Sequence, residues 1–325
     1  MAVLGIDTSC YRTSVALVEN GVILRDERRL IEVKSGERGL RQSEGLFQHV
    51  RAIGEIIETA FSGFNGSLDA VCVSSRPRDV EGSYMPVFTA GEAVARSLAA
   101  AGNLPLFKTS HQQGHIRAAM FSSDIIGDDF LAVHLSGGTT ELLRVYAGLR
   151  PDSQMRVELI GKTTDLNAGQ LVDRIGVRLG LPFPAGAHLE RMAASGTSRS
   201  LAPTSVIGDN ISLSGAEARL MRLIDAGERP TDVAREVYSF LERTLAKWME
   251  NAVRKSGIKT ILMTGGVSSS EMLKSLLAAR IKKRGSDMEL YWADPGLSGD
   301  NAVGVALIGW DMLKGVAAHA RHDIS

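Results

Sequence analysis

One local pattern occurs twice in this chain and restricts its fold more than any other feature. An apolar strand at 3–6 runs into Asp7-Thr8-Ser9 and resumes as a strand at 14–18. A second at 130–135 runs into Ser136-Gly137-Gly138-Thr139-Thr140 and resumes at 141–146. A repeated supersecondary unit of this kind reads as an internal duplication. Asn20-Gly21 marks a tight hairpin into a third strand at 22–29. A helix at 47–61, a strand at 68–74, a helix at 86–101 and a strand at 105–108 follow by periodicity. In the second half, helices are expected at 167–179, 231–255 and 270–283, strands at 259–263 and 288–292, and a helix closes the chain. Two meanders, each followed by alternating helices and strands, predict an α/β protein of two mixed lobes. The expected lobes are residues 1–128, completed by a C-terminal helix within 299–325, and residues 129–298. The small turns at the strand ends are then expected to face a cleft between the lobes, where α/β proteins hold ligands.

At 325 residues the chain can bury a sizeable core. Its 37 basic and 37 acidic residues balance, so bulk charge gives no signal for a nucleic-acid or membrane partner, while a local basic groove stays open. Two cysteines, Cys10 and Cys72, make no disulfide framework, and Cys10 is expected to be a small buried thiol. The first residues lack a basic segment followed by a long apolar one, and no uncharged apolar stretch is long enough for a bilayer. A cytoplasmic location with no membrane partner is the expectation.

The most specific chemical signal is Ser110-His111-Gln112-Gln113-Gly114-His115. Histidines four apart on a helix lie one turn above the other on the same side. Both imidazoles can then reach one metal ion, with Ser110 as the helix N-cap. The lone Asp300, in Leu297-Ser298-Gly299-Asp300-Asn301-Ala302, offers a carboxylate from a distant part of the chain. His134 interrupts an apolar strand two positions before Ser136 and would supply a third imidazole. Three histidines and one carboxylate suit zinc or iron. His49 and His188 have no such company and read as structural or exposed.

Four small-residue turns are candidates for anion contact: Asp7-Thr8-Ser9, with Ser9 as its nucleotide contact, Ser136-Gly137-Gly138-Thr139, Gly265-Gly266-Val267 and the approach to Asp300. Gly169 and Asp173 fall one helical turn apart; glycine there admits a flat ligand, and Asp173 would accept from ribose hydroxyls. The competing expectation is that Asp165 caps that helix and Asp173 is solvated. Pro182-Phe183-Pro184-Ala185-Gly186 reads as a stiff turn beside the same pocket. There is no Walker-type loop, no dinucleotide fingerprint and no Ser-His-Asp or Cys-His arrangement. The His-Glu-x-x-His of metallopeptidases is also missing.

Taken in order, Leu4-Gly5-Ile6-Asp7-Thr8-Ser9-Cys10, His111-x-x-x-His115, Ser136-Gly137-Gly138, Asp165…Gly169…Asp173, Leu181-Pro182-Phe183-Pro184, Ser212-Leu213-Ser214-Gly215, Gly265-Gly266-Val267 and Asp300-Asn301-Ala302 form a specific set. Together they resemble the threonylcarbamoyltransferase family of tRNA modification, once described as O-sialoglycoprotein endopeptidases. The resemblance covers essentially the whole chain. It implies a fold of the actin, Hsp70 and sugar-kinase type, with two duplicated ribonuclease-H-like lobes around a nucleotide cleft. It also implies transfer of a threonylcarbamoyl group from its mixed anhydride with AMP to N6 of the adenosine beside the tRNA anticodon. One divalent metal, iron or zinc, is implied on His111, His115 and Asp300, with His134 where some members place a tyrosine ligand. Adenylate contacts (AMP, ATP or threonylcarbamoyl-AMP) are implied at Asp165, Gly169, Asp173, Gly186, Gly266 and Ser136, Gly137 and Gly138.

The chain departs from the family pattern at several of these points. Tyr11 and Arg12 stand where the family has two acids tied to activity, and Thr139 follows Ser136-Gly137-Gly138 where His or Asn is usual. The family's Asp-Asp-Ala-Ala-Gly-Glu is Asp165-Leu166-Asn167-Ala168-Gly169-Gln170 here, and its Asn after Gly-Gly-Val-x-x is Ser270. Residues 34–44 also lack the family's Gly-Gly-Val-Val-Pro-Glu pattern. This is the profile of a diverged paralogue. Three functions therefore stand: the transferase, a non-catalytic paralogue that partners or regulates another protein subunit, and an ATPase or small-molecule kinase of the same superfamily.

Overall fold

The computed structural model describes residues 1–9, 11–32, 41–148, 154–199 and 201–322, with side chains as far as residue 315. Cys10 and most of the 34–44 segment, both singled out in the sequence, lie outside the described residues. The chain divides into two compact units, one of residues 1–128, 146–157 and 296–325, the other of 129–145 and 158–295.

The first unit opens with the meander β1 (Ala2–Ser9), β2 (Arg12–Glu19) and β3 (Val22–Leu30). Helix α1 (Gln42–Phe61), β4 (Ala70–Arg76), α2 (Phe88–Gly102), β5 (Leu106–Ser110) and α3 (His111–Phe121) follow. The strands order as β3-β2-β1-β4-β5, with β1, β2 and β3 antiparallel and β4 and β5 parallel to β1. Leu4 and Ile6 alternate onto one face with Val15, Val71 and Val73, where Ala52, Ile53 and Ile56 of α1 and Ala95 and Ala99 of α2 cover them. On the other face, Ala16 and Val18 pack with Val303, Ala306 and Leu307. Those last three belong to α9, the final helix (Val303–His322).

The second unit repeats the plan. Strands β6 (Asp129–Leu135), β7 (Thr140–Tyr146) and β8 (Arg156–Lys162) come first. Helices α4 (Ala168–Arg178) and α5 (Gly186–Ala193), the two-residue strands β9 (Val206–Ile207) and β10 (Asn210–Ile211), and α6 (Ser214–Asp225) follow. The chain then forms α7 (Pro230–Ser256), β11 (Thr260–Thr264), a 3₁₀ turn at Gly266–Ser269, α8 (Glu271–Arg284) and β12 (Glu289–Trp292). Its sheet orders as β12-β11-β6-β7-β8. Read from the β8 end, that is the order of the first sheet, strand for strand, so the duplication seen in the sequence is a duplication of topology. Trp248, Tyr238 and Phe240 of α7 fill the second core.

The strand at 156–162 and helices α5 and α6 were not expected from sequence. Helix α6 buries Ala216 and Leu220 and packs the half-buried Met221, Leu223 and Ile224 against the core; Ala216, Leu220, Leu223 and Ile224 fall at i, i+4, i+7 and i+8, an apolar spacing that the sequence did carry. Among the described residues no helix is long and apolar enough to cross a membrane.

Candidate metal centre and nucleotide-binding residues

The metal candidates of the first unit are built by a helix start and a helix crossing. Ser110 ends β5 in extended conformation and caps α3, its Oγ accepting from Gln113 N at 3.1 Å. Gln113 returns the bond, its Oε1 accepting from Ser110 N at 2.9 Å. Its Nε2 also donates to Asp79 Oδ2 at 3.1 Å and to Met155 O at 2.7 Å. This capping box fixes where the first turn begins, and therefore where His111 and His115 point. Asp300 arrives with α9. A Cβ on Gly304 would lie 1.8 Å from Gly114 O, so α3 and α9 touch backbone to backbone between the two histidines. Arg117 Nε pairs with Asp311 Oδ2 at 2.8 Å further along the same crossing.

The result is a tight convergence of donor atoms. His115 Nε2 lies 3.0 Å from His111 Nε2 and 3.2 Å from Asp300 Oδ1, and His111 Nε2 lies 3.6 Å from the same Oδ1. Among the described residues these three form the one group of side chains whose ligand atoms all lie within 4.8 Å of one another. A tetrahedral site with bonds of about 2.0–2.1 Å has ligand–ligand edges of roughly 3.3–3.4 Å. The three observed edges bracket that value, so the residues fit a metal ion.

Asp7 completes the arrangement. Its Oδ1 accepts from His111 Nδ1 at 3.0 Å and from the Ser74 hydroxyl, and the residue is fully buried. With Nδ1 donating to Asp7, a neutral His111 has its Nε2 lone pair available to a metal, while the protonated ring donates from both nitrogens, to Asp7 and towards Asp300. A carboxylate behind a metal-ligating histidine is the usual outer support of such sites. Asp7 Oδ2 is buried with no hydrogen-bond partner among the described residues.

The protonation balance points the same way. Burial pushes His111 down, yet Asp7 and Asp300 hold its imidazole well above the usual range. Burial pushes Asp300 up, yet hydrogen bonds and charge from His111 and His115 hold it well below. Asp7, also opposed by burial, is lowered by His111 and Ser74. A buried carboxylate, Asp7, and a partly exposed one, Asp300, thus both call for positive charge at the histidines between them, and a divalent cation satisfies that demand better than one proton.

The flanking residues set the edge of the centre. Tyr11 is 53% exposed. Arg12 Nη1 donates to Asp300 O at 3.4 Å, and a Cβ on Gly299 would lie 3.2 Å from that nitrogen. Arg12 cannot ligate a metal, having no acceptor. His134 stands on β6 of the second unit, level with Thr264 of β11, with its ring edge 2.7 Å from where a Gly265 Cβ would sit.

The nucleotide candidates, Ser9 apart, all belong to the second unit. Ser136 Oγ accepts from Thr139 N at 3.0 Å and Gly138 N at 3.3 Å, which pins the turn between β6 and β7. A Cβ on Gly137, Gly138 or Gly266 would meet nothing within 4 Å. Gly169 is different. A Cβ there would lie 2.7 Å from Gly137 N, and Gly169 N donates to Ser136 O at 3.1 Å. Its small size serves the packing of α4 on the Ser136–Gly137 backbone, where the sequence suggested room for a flat ligand.

Asp165 does not cap α4; Asn167 does, with Gln170 Oε1 accepting from Asn167 N at 3.1 Å. The Asp165 carboxylate accepts instead from Leu213 N at 2.8 Å, Ser212 Oγ at 2.6 Å, Ser214 Oγ at 2.5 Å and Leu166 N at 2.6 Å. Against a burial effect in the other direction, those donors hold it well below the usual carboxylate range. Asp173 is not free in solvent. It accepts from Ala185 N at 2.8 Å, and burial raises its carboxyl. Gly186 O accepts from the Tyr238 hydroxyl at 3.1 Å. Ser9 is buried, and its hydroxyl has no partner among the described residues.

Two histidines read from sequence as structural or exposed have plain partners. His49 is buried with Nδ1 2.8 Å from Thr13 Oγ1, and His188 Nδ1 meets Arg191 Nη2 at 2.8 Å. Sequence reasoning placed Asp7 only in an anion-contact turn. Its role behind His111 depends on β5 running parallel to β4 and β4 to β1, which no local pattern announces.

The paired sheets define a fold of the actin, Hsp70 and sugar-kinase type, and solved structures agree. The chain is similar to HypF from T. kodakarensis (TM-score 0.65, 16% identity, 97% of this chain and 48% of that one). It is also similar to (R)-2-hydroxyglutaryl-CoA dehydratase component A from Acidaminococcus fermentans (TM-score 0.54, 17% identity, 96% and 99%). A ROK family glucokinase from Streptomyces griseus is a third (TM-score 0.53, 14% identity, 95% and 99%). The chain spans about half the length of the HypF chains it matches. These likenesses speak to the fold alone.

Residues 43–307, well over half of the chain, match the family described as TsaD, tRNA N6-adenosine threonylcarbamoyltransferase. The protein belongs to that family of tRNA-modifying transferases.

Proposed function

We propose that this chain is a metal-dependent transferase that moves a threonylcarbamoyl group from threonylcarbamoyl-AMP to N6 of the adenosine beside a tRNA anticodon, in the cytoplasm. The observation that carries this reading is the convergence of His111 Nε2, His115 Nε2 and Asp300 Oδ1 with Asp7 behind His111. An iron or zinc ion held by His111, His115 and Asp300 would supply Lewis-acid polarisation of a bound carbonyl. His134 is kept as the fourth expected ligand, and retention of full metal content in His134→Ala would remove it from the set.

In this reading Asp7 holds His111 in the tautomer that faces its neighbours. The open backbone at Gly137, Gly138 and Gly266 admits the phosphate of an adenylate, and Ser136, by pinning its turn, keeps the first two in place. Asp165, Gly169 and Asp173 shape the adenylate site through the loops and helix ends they hold; Gly186 and Ser9 remain contact candidates. Positioning lets N6 attack the carbamoyl carbon; the C–N bond forms, the C–O bond to AMP breaks with its electrons going to the AMP phosphate oxygen, and the N6 proton passes to solvent water.

A second reading, that of a non-catalytic partner subunit of a tRNA-modification complex, is favoured by Arg12, which places a cation beside Asp300. The kinase reading is weakest, since an imidazole-rich donor set suits zinc or iron rather than magnesium. The test is to incubate the purified, metal-analysed chain with threonylcarbamoyl-AMP and unmodified tRNA, then identify product nucleosides by mass spectrometry. Transfer by the chain alone supports the first reading. Bound metal without transfer, restored only by a second subunit, supports the partner reading. ATP turnover without either would move the assignment to the kinase class.

A further inference from the structure

A second polar recess lies in the second unit, built by residues that none of the readings above uses. It has a volume of about 480 Å³, within the usual range of small-molecule sites. Arg235, Ser239, Glu242 and Arg243 line it from α7, and Leu276 and Arg280 from α8. The α7 positions are spaced at i, i+4, i+7 and i+8, so they stack on one face of that helix. The loop at 196–198 forms the remaining wall.

The wall is held by buried ion pairs. Glu236 and Glu242 are almost fully buried. Glu236 Oε1 accepts from Arg243 Nη2 at 2.9 Å and Oε2 from the Ser198 hydroxyl. Glu242 takes Arg280 in a two-point fork through Nε and Nη2. That fork leaves Arg280 Nη1 without a partner among the described residues. Asp232 anchors the loop, accepting from Thr197 N at 2.7 Å. Between Asp232 and Glu236, Arg235 makes no hydrogen bond or ion pair among the described residues. Ser239, 7% exposed, has a hydroxyl with no partner there either.

Three guanidiniums against one lining carboxylate leave the recess positive, even with Glu236 beneath it. Burial lowers the Arg280 guanidinium, and the nearby Arg284 charge adds to it in the same direction. Guanidinium forks with hydroxyl donors match the oxygens of a phosphate.

We propose that this recess binds a phosphate-bearing small molecule, with Arg235 and Arg280 Nη1 as its charge partners and Ser239 as a hydroxyl donor. The site is separate in sequence from the metal and adenylate candidates and stands whether or not the chain transfers threonylcarbamoyl.

The experiment is calorimetric titration of the full-length, metal-analysed protein, and of its Arg235→Ala and Gly137→Ala variants, with inorganic phosphate and with pyrophosphate. Saturable binding that weakens about ten-fold or more in Arg235→Ala and is kept in Gly137→Ala is the expected result. Arg235 is on the helix surface, so unchanged melting and metal content will show that the variant is folded; Ser239→Ala, which removes one donor, should weaken binding by a smaller factor. No saturable binding, binding lost in Gly137→Ala, or affinity unchanged in Arg235→Ala would each overturn the proposal.

Discussion

The ends of the two duplicated strands have opposite characters. In the first unit, Asp7, Thr8 and Ser9 are not the turn that the sequence suggested but paired residues of β1; they are buried, and this strand end presents a carboxylate whose partners are His111 and Ser74. In the second, Gly137 and Gly138 lie in the turn after β6 and are exposed, with open side-chain space above them, and the partner of their turn is its own Ser136 hydroxyl. The backbone plan is the same, yet one strand end collects negative charge and the turn after the other offers bare peptide. The first can support a cation; the second can admit an anion. A duplicated fold can thus divide its labour by changing three or four side chains at an equivalent strand end, without altering strand order.

The comparison breaks most severely if the first strand end loses the helix crossing that brings Asp300 to it. Gly304→Ala would put a methyl 1.8 Å from Gly114 O, a clash with backbone that only a helix shift relieves. A loss of about 3 kcal/mol or more is expected, together with loss of bound metal. Thermal melting and elemental analysis on one sample would check both. Retained metal would mean that Asp300 does not depend on this crossing.

Removing the charge from the first strand end tests it more narrowly. Asp7→Asn keeps the volume but not the anion behind His111. Metal affinity should fall about 10–100-fold, measured by competition with a chelator, while far-UV dichroism stays unchanged. Affinity equal to the parent would mean that Asp7 is only a buried structural acid.

Two glycines of the second unit separate packing from access. Gly169→Ala would meet Gly137 N at 2.7 Å and should cost about 1–2 kcal/mol. Gly137→Ala meets nothing within 4 Å and should change stability by less than about 0.5 kcal/mol. If an adenylate approaches that turn, Gly137→Ala should weaken AMP binding in calorimetry all the same. Weakening by Gly169→Ala alone would place the ligand elsewhere.

The sequence made the repeat legible because strand alternation and small-residue turns are local. The His111–His115 pair and its Ser110 cap were legible for the same reason. What could not be read were partnerships made across long stretches of chain. Asp173 read as a ribose contact, and one of its two oxygens is held by Ala185 N. Gly169 looked like a ligand gap, and the backbone of Ser136 and Gly137 fills it. Asp7 looked like one more turn residue, and its importance comes from a helix that starts more than a hundred residues later. Spacing shows which side chains share a face; it does not show what faces them.

The smallest effect concerns Asp165, whose donors tie the Ser212–Ser214 backbone to the approach of α4. Its carboxyl is held below the usual range by the Leu213, Ser212, Ser214 and Leu166 donors, in spite of burial. A carboxyl depressed in the folded state stabilises the fold above its unfolded value, near about pH 4, and that contribution fades as the pH falls through the folded value. Asp165→Asn removes the titration while keeping the shape and one acceptor. Chemical denaturation at pH 7 should therefore show the variant less stable than the parent, and the gap should narrow as the pH is lowered from about 4 towards 3. A gap that stays constant over that range would mean the ionised form has no advantage, and that Asp165 serves this unit by shape alone. In that case the turn of the second unit would owe its order to Ser136 and Gly169, and the contrast with the first strand end would be sharper still, since no carboxylate charge would support the anion-admitting side.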